Sequence, residues 1–346
     1  MRSALIAGLS GTVLSADERA FYRDVRPAGM ILFTRNCRDL AQVAALVAET
    51  REAVDADDFL VLIDQEGGRV QRLRGELGRA LPPARNYGDM YASDPERAKM
   101  AAYLVARLTA QDLRELDINT NCAPVLDVPV PGAHDIIGDR AYGIDTASVI
   151  ALGREVMAGY ADGGVVPVIK HIPGHGRAGA DSHLALPVVD TSRDELSRSD
   201  FLTFRALSDA PAAMTAHVVF SGIDAAKPAS TSKRVTDDII RGEIGFRGLL
   251  MSDDLSMHAL SGPMRQRAQE VLEAGCDVAL HCNGDMAEMV AAADGCGALQ
   301  GKAAERFARA VRVTQRQSDF DVQEAVEMLA EVLRGGGLPA EGIESV

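Results

Sequence analysis

The sequence contains no tryptophan, and aromatic residues make up only 4% of it. A core drawn from this chain must therefore rely on aliphatic packing. No stretch approaches the roughly 18 consecutive apolar residues that a membrane-spanning helix requires, so no membrane partner is expected. CxxC pairs are absent as well. The five cysteines (Cys37, Cys122, Cys276, Cys282 and Cys296) are odd in number and widely scattered, which speaks against a zinc knuckle or a disulfide framework. Free thiols in a reducing cytosol are the economical reading, and a cytoplasmic location is expected. The opening MRSALIAGLSGTVLSA carries one basic residue, and Gly8, Ser10, Gly11 and Thr12 break its apolar run. It reads as a first strand rather than a signal peptide. A basic excess is also lacking: 36 Lys and Arg face 50 Asp and Glu, a net charge of -14. That balance argues against broad binding to nucleic acid or anionic lipid, while leaving room for a locally basic pocket.

What is present is an alternation. Apolar runs at Ala4–Leu9, Gly29–Phe33, Phe59–Ile63, Ile118–Val128, Val165–Ile169, Ala212–Phe220, Gly248–Met251 and Cys276–Leu280 read as strands. Helical segments separate them. Ser15 before Asp17 and Glu18, and Asp94 before Pro95, are helix starts. Ala101, Leu104, Val105 and Leu108 recur at helical spacing, as do Val149, Leu152, Val156 and Tyr160. A last helix carries Val322, Val326, Leu329 and Leu333 on one face and stops at Gly335-Gly336-Gly337. Eight strands alternating with helices and no internal linker predict an α/β fold, a single-domain (β/α)8 TIM-type barrel over 1–335 with a flexible tail over 336–346. A doubly wound open sheet is the alternative, but no GxGxxG follows an early strand.

Polar residues gather at the predicted C-terminal strand ends: Asp64, Lys170, His171, His217, Asp253 and His281. A parallel barrel places its active face there. The densest group is KHIPGHGRAGADSH, Lys170 to His183, with three of the chain's seven histidines. Its His171, His175, Asp181 and His183 are donor types that metals accept. No HxH or HExxH pair aims two imidazoles at one point, and Lys170 and Arg177 would repel a cation, so neither metal nor cofactor is expected. Glycosyl chemistry fits better, needing a carboxylate on one face of a sugar and a proton donor on the other. Asp253 suits the first role, and Asp181, two residues from His183, can tune that ring for acid/base work. One of Asp253 and Asp254 is expected to cap a helix beginning at Leu255. Asp64 could pair with Arg69 or Arg72, and Arg140 and Lys170 with Asp139. On the residues alone, sugar-gripping and purely structural roles for these groups stay open.

IDQEGGRVQR (Ile63–Arg72), APVLDV (Ala123–Val128), IGDRAYG (Ile137–Gly143), KHIPGHG with DSH (Lys170–His183) and MSDDLSM (Met251–Met257) resemble, in order, the bacterial β-N-acetylglucosaminidases of glycoside hydrolase family 3. Ile172 stands where the family pattern expects phenylalanine, and His258 where glutamate is commoner. The resemblance implies Asp253 as nucleophile, His183 as general acid/base and Asp181 as its partner. It implies that Asp64, Arg72, Arg140, Lys170 and His171 hold an N-acetylglucosamine unit. It further implies a cytoplasmic enzyme of cell-wall recycling acting on muropeptides. A phosphorylase and a non-catalytic sugar-binding barrel are the other readings, and a monomer or weak homodimer is expected.

Overall fold

A computed structural model describes residues 1–182, 185–316 and 318–343. The described residues form a closed barrel of eight parallel strands: β1 Ser3–Gly8, β2 Pro27–Leu32, β3 Leu60–Ile63, β4 Thr120–Asn121, β5 Val166–Ile172, β6 Ala212–Thr215, β7 Leu249–Asp254 and β8 Val278–His281. They run in sequence order around the barrel and β1 closes on β8. The expected α/β barrel is the fold observed.

Alternation along each strand sorts its side chains into two layers. Leu60 and Leu62, Val166 and Val168, Leu249 and Met251, and Val278 and Leu280 fill the barrel interior, where Leu299, Phe307 and Val311 join the same cluster. The other parity (Val61, Ile63, Ile169, Leu250) packs outward on the helices. Carrying the inward rows one step further places Asp64, Lys170, Asp253 and Cys282 at the barrel mouth. The site is thus an extension of the core pattern.

Helix starts follow their caps. Ser15 and Glu18 form a reciprocal capping box on helix Ala16–Val25, and Asp94 caps helix Pro95–Glu115 with Pro95 in its first turn. Such caps are each worth about 1 kcal/mol. The Pro95–Glu115 helix packs closely on Thr146–Asp162, because a Cβ on Gly159 would stand 2.6 Å from the Tyr103 carbonyl oxygen.

Two strands are shorter than the apolar runs that announced them. β4 keeps only two residues, since Pro124 has no N–H for the ladder. Side-chain amides replace the missing rungs: Asn119 Oδ1 accepts from Val61 N at 2.8 Å and Asn121 Oδ1 from Gln65 N at 2.9 Å. The 212–220 run splits, and Val219–Phe220 leaves the barrel to pair with Val188–Val189. The segment expected to form a loose tail from 336 packs as far as it is described. Ile343 is buried, and the Gly342 and Ile343 carbonyls accept from Ala80 N at 2.8 Å and Arg79 Nη1 at 2.6 Å. No helix among the described residues is long and apolar enough to cross a membrane.

Candidate active site

A cavity of about 360 Å³ opens at the C-terminal mouth of the barrel, and Asp64, Arg72, Arg140, Lys170, His171 and Asp253 all line it. Residues up to 189 positions apart in the chain therefore share one chamber, on the face where a parallel barrel does its chemistry. His183 lies outside the described residues. Asp181 is described and half-buried, with its carbonyl accepting from Ala185 N at 3.0 Å.

One wall is an alternating chain of charges. Arg72 Nη2 donates to Asp64 Oδ2 at 2.9 Å, and Lys170 Nζ to Asp64 Oδ1 at 2.7 Å. The same ammonium lies 2.6 Å from Glu66 Oε1, and Arg140 grips Glu66 with two bonds of 2.8 Å. Burial alone would push the Asp64 and Glu66 carboxyls up. The adjoining cations outweigh it, holding Asp64 well below the usual carboxylate range and Glu66 down at about 2. Burial would likewise lower Lys170, which is only 2% exposed, but Asp64 and Glu66 raise it above an ordinary lysine. Three cations against two carboxylates leave one positive charge in surplus beside the cavity. Of the pairings expected for these residues, Asp64–Arg72 forms, whereas Arg69 turns to Asp139 at 2.9 Å and Arg140 and Lys170 choose Glu66.

A second wall is built on Asp127. Its buried carboxylate accepts from His171 N at 3.2 Å, His171 Nδ1 at 2.7 Å and His175 N at 2.7 Å. Burial would raise that carboxyl, but His171 and His175 bring it below its ordinary value. The His175 ring stands edge-on to His171 at 5.7 Å, and its Nε2 lies 3.1 Å from Ser182 Oγ. Burial, helped by His171 and opposed by Asp127 and Asp253, lowers His175 from 6.5 to about 4. The folded chain thus keeps a neutral ring that the unfolded chain would protonate below 6.5. Stability held above that pH is lost as pH falls from 6.5 toward 4, by about 1.4 kcal/mol per unit at full effect. Urea denaturation of the His175→Gln variant across this range should show a flatter slope than the parent chain. An unchanged slope would contradict the assignment. Glu66 adds its own acid loss only from 4.5 downward.

Asp253 and Asp254 diverge. Asp254 N donates to Asp253 Oδ1 at 2.8 Å. The Asp254 carboxylate accepts from Ser256 N and Cys282 N, both at 3.0 Å, and from Ser256 Oγ, while its carbonyl meets His217 Nε2 at 3.0 Å. Asp254 is the capping-type residue of the two. It holds a turn, however, and the next helix begins only at Met264.

Two strand-end histidines do not join the site. His217 bridges Ser230 Oγ at 2.7 Å and the Asp254 carbonyl. His281 has the outward parity of β8 and reaches Glu288 at 3.2 Å. Glu66, Asp127 and the non-metal role of His175 were missed from sequence. Glu66 and Asp127 each left a signal: Glu66 stands two residues beyond Asp64 in extended chain and so shares its face, and Asp127 is the one charged residue of the apolar APVLDV stretch. Among the described residues, no group of three His, Cys, Asp or Glu side chains is placed to hold a metal. All five cysteines are unpaired by disulfides.

A closed parallel barrel with a polar, charge-lined mouth is the frame of an enzyme that handles a small, hydrogen-bonding substrate. The chain belongs to glycosyl hydrolase family 3, whose N-terminal domain pattern matches residues 9–315; it is a glycoside hydrolase. The β-hexosaminidase of Thiobacillus denitrificans is 41% identical over 283 residues, 81% of this chain and 78% of that one. That of Alkalilimnicola ehrlichii is 40% identical, over 81% and 80%. Among solved structures, NagZ from Neisseria gonorrhoeae superposes with a TM-score of 0.84 at 32% identity, covering 96% of this chain and 98% of that one. The same protein has been solved with N-trifluoroacetyl-D-glucosamine.

Proposed function

We propose that this chain is a retaining β-N-acetylhexosaminidase that releases terminal β-linked N-acetylglucosamine, with muropeptides of peptidoglycan recycling as its natural substrates. The observation that carries the reading is the end of the inward row of β7. Asp253 lines the same cavity as Asp64, Arg72, Arg140 and Lys170, so a sugar held by that wall presents its anomeric carbon to a carboxylate. The β-hexosaminidase relatives support the choice of an amino sugar, and the NagZ complex with N-trifluoroacetyl-D-glucosamine supports an N-acylated one.

In this reading an Asp253 oxygen attacks the anomeric carbon while the glycosidic C–O bond breaks. The leaving oxygen takes a proton from His183, which Asp181 orients. Water then attacks the same carbon and gives a proton to His183, and the Asp253 carboxylate departs. Two inversions give net retention. Asp64 supplies acceptors and Arg72, Arg140 and Lys170 supply donors to sugar hydroxyls and the acetamide, and His171, with Nδ1 committed to Asp127, offers Nε2 to a sugar hydroxyl. Lys170 commits two of its three N–H donors to Asp64 and Glu66, leaving one for the ligand.

The test uses paired aryl glycosides, followed by proton NMR. Turnover of the β-N-acetylglucosaminide should exceed that of the β-glucoside by at least about a hundredfold, since a polar site left unpaired discriminates strongly. The first-formed sugar should be the β-anomer. Comparable turnover of the two glycosides, or a first-formed α-anomer, would sink the proposal. A sugar 1-phosphate formed only when phosphate is added would instead favour a phosphorylase.

A further inference from the structure

The chain leaving β5 is held tightly at first. Val130 N donates to the Gly176 carbonyl at 3.3 Å and His134 N to the Ala178 carbonyl at 2.9 Å, and Arg177 pairs with Asp200 at 2.7 Å. A Cβ on Gly176 would collide with the Val128 carbonyl. Beyond Ala178 the hold weakens. Gly179 is exposed with nothing near its Cβ position, and residues 180 and 181 are only half-buried. Ser182 departs from this trend: it is 2% exposed, lines the cavity, and its hydroxyl meets His175 Nε2.

Resting on the function proposed above, we infer that His175 is a positioning residue that clasps Ser182 and so fixes the Asp181–Ser182 segment over the cavity. His175 suits the task because it is itself fixed at two points, by the Asp127 carboxylate at its N–H and by the His171 ring at its edge. Asp127 therefore sets two things at once, the His171 ring on the substrate wall and, through His175, the described Asp181–Ser182 segment. The His175 Nδ1 atom is buried with no hydrogen-bond partner. Placing the ring proton on Nε2 leaves an orphan acceptor at Nδ1 rather than an orphan N–H. Nε2 then donates to Ser182 Oγ, and the serine hydrogen is free to turn into the cavity. The clasp touches no reacting atom. It acts on proton delivery through Asp181, the neighbour of Ser182 proposed above to orient the acid.

The experiment compares His175→Ala, His175→Gln and Ser182→Ala on two N-acetylglucosaminides, one with a 2,4-dinitrophenyl and one with an alkyl leaving group. The dinitrophenolate departs without a proton, whereas the alkoxide needs one. Misplacing an acid typically forfeits part of its 10²–10⁴-fold contribution. H175A and S182A should each lower kcat on the alkyl glycoside by about tenfold or more and leave the activated substrate within about threefold. H175Q, which keeps an N–H near the Nε2 position, should recover most of the loss. The H175A/S182A double variant should lose no more than either single variant, as expected for two ends of one contact. Equal losses on both leaving groups, or additive losses in the double variant, would overturn the clasp. If H175A fails to fold, S182A carries the same test. Failure of the underlying reading looks different: the unaltered protein would then show no turnover of either substrate.

Discussion

Replacing Asp253 with alanine is expected to lower kcat by a factor on the order of 10⁴ to 10⁶ while leaving the fold intact, as loss of one member of a catalytic unit does. The side chain lies at the solvent end of an inward row, so its removal opens no core cavity. Its oxygen accepts from Asp254 N, but Asp254 keeps its place through Ser256, Cys282 and His217. With an activated aryl glycoside, azide should restore turnover to D253A by occupying the vacated space. It would attack the anomeric carbon directly and yield the α-glycosyl azide, one inversion instead of two. Failure of rescue together with near-normal kcat would place the nucleophile elsewhere. Asp254→Ala should instead show its main effect on stability.

Lys170→Met is expected to damage both stability and binding. The ammonium bridges two buried carboxylates, and removing one member of a buried ionic network costs about 3–5 kcal/mol. The lower end applies here, because Arg72 still faces Asp64 and Arg140 still faces Glu66. Losing the bond proposed for it to the sugar should reduce kcat/KM by a further 10- to 100-fold, about 1.5–3 kcal/mol for a charged donor. Urea denaturation and steady-state kinetics on the same preparation separate the two effects. A variant as stable as the parent would contradict the network. A destabilised variant with unchanged kcat/KM would remove Lys170 from the sugar site.

The reasons some of this site was legible in sequence and some was not are physical. Leu60-Val61-Leu62-Ile63 followed by Asp64, and Leu249-Leu250-Met251 followed by Asp253, announce a strand, its parity and a polar end. Alternation carries the inward row straight to the mouth, so the barrel and its Asp64, Lys170 and Asp253 could be read locally. Pairings across the barrel could not. Glu66 meets Arg140 over 74 residues and Asp127 meets His171 over 44, separations set by closure of the sheet. Parity also explains the false candidate at His281: Leu280 faces the cavity, so its neighbour faces Glu288. The helix expected at Leu255 fails for a related reason. Asp254 spends its carboxylate on Ser256 N and Cys282 N and closes a turn toward β8 instead.

Asp253 is proposed to form a covalent bond to the anomeric carbon. The most direct measurement is to incubate the protein with a 5-fluoro glycosyl fluoride of N-acetylglucosamine, digest it, and locate the adduct by peptide mass spectrometry. Fluorine at C5 destabilises the oxocarbenium-like transition state of both steps, while the fluoride leaving group keeps the first step fast enough for the intermediate to accumulate. One fluoro-sugar adduct per chain is expected, on the peptide containing Met251-Ser252-Asp253-Asp254 and at Asp253 within it. A stable label on any other residue, or rapid turnover with no label and a first product of inverted configuration, would contradict it.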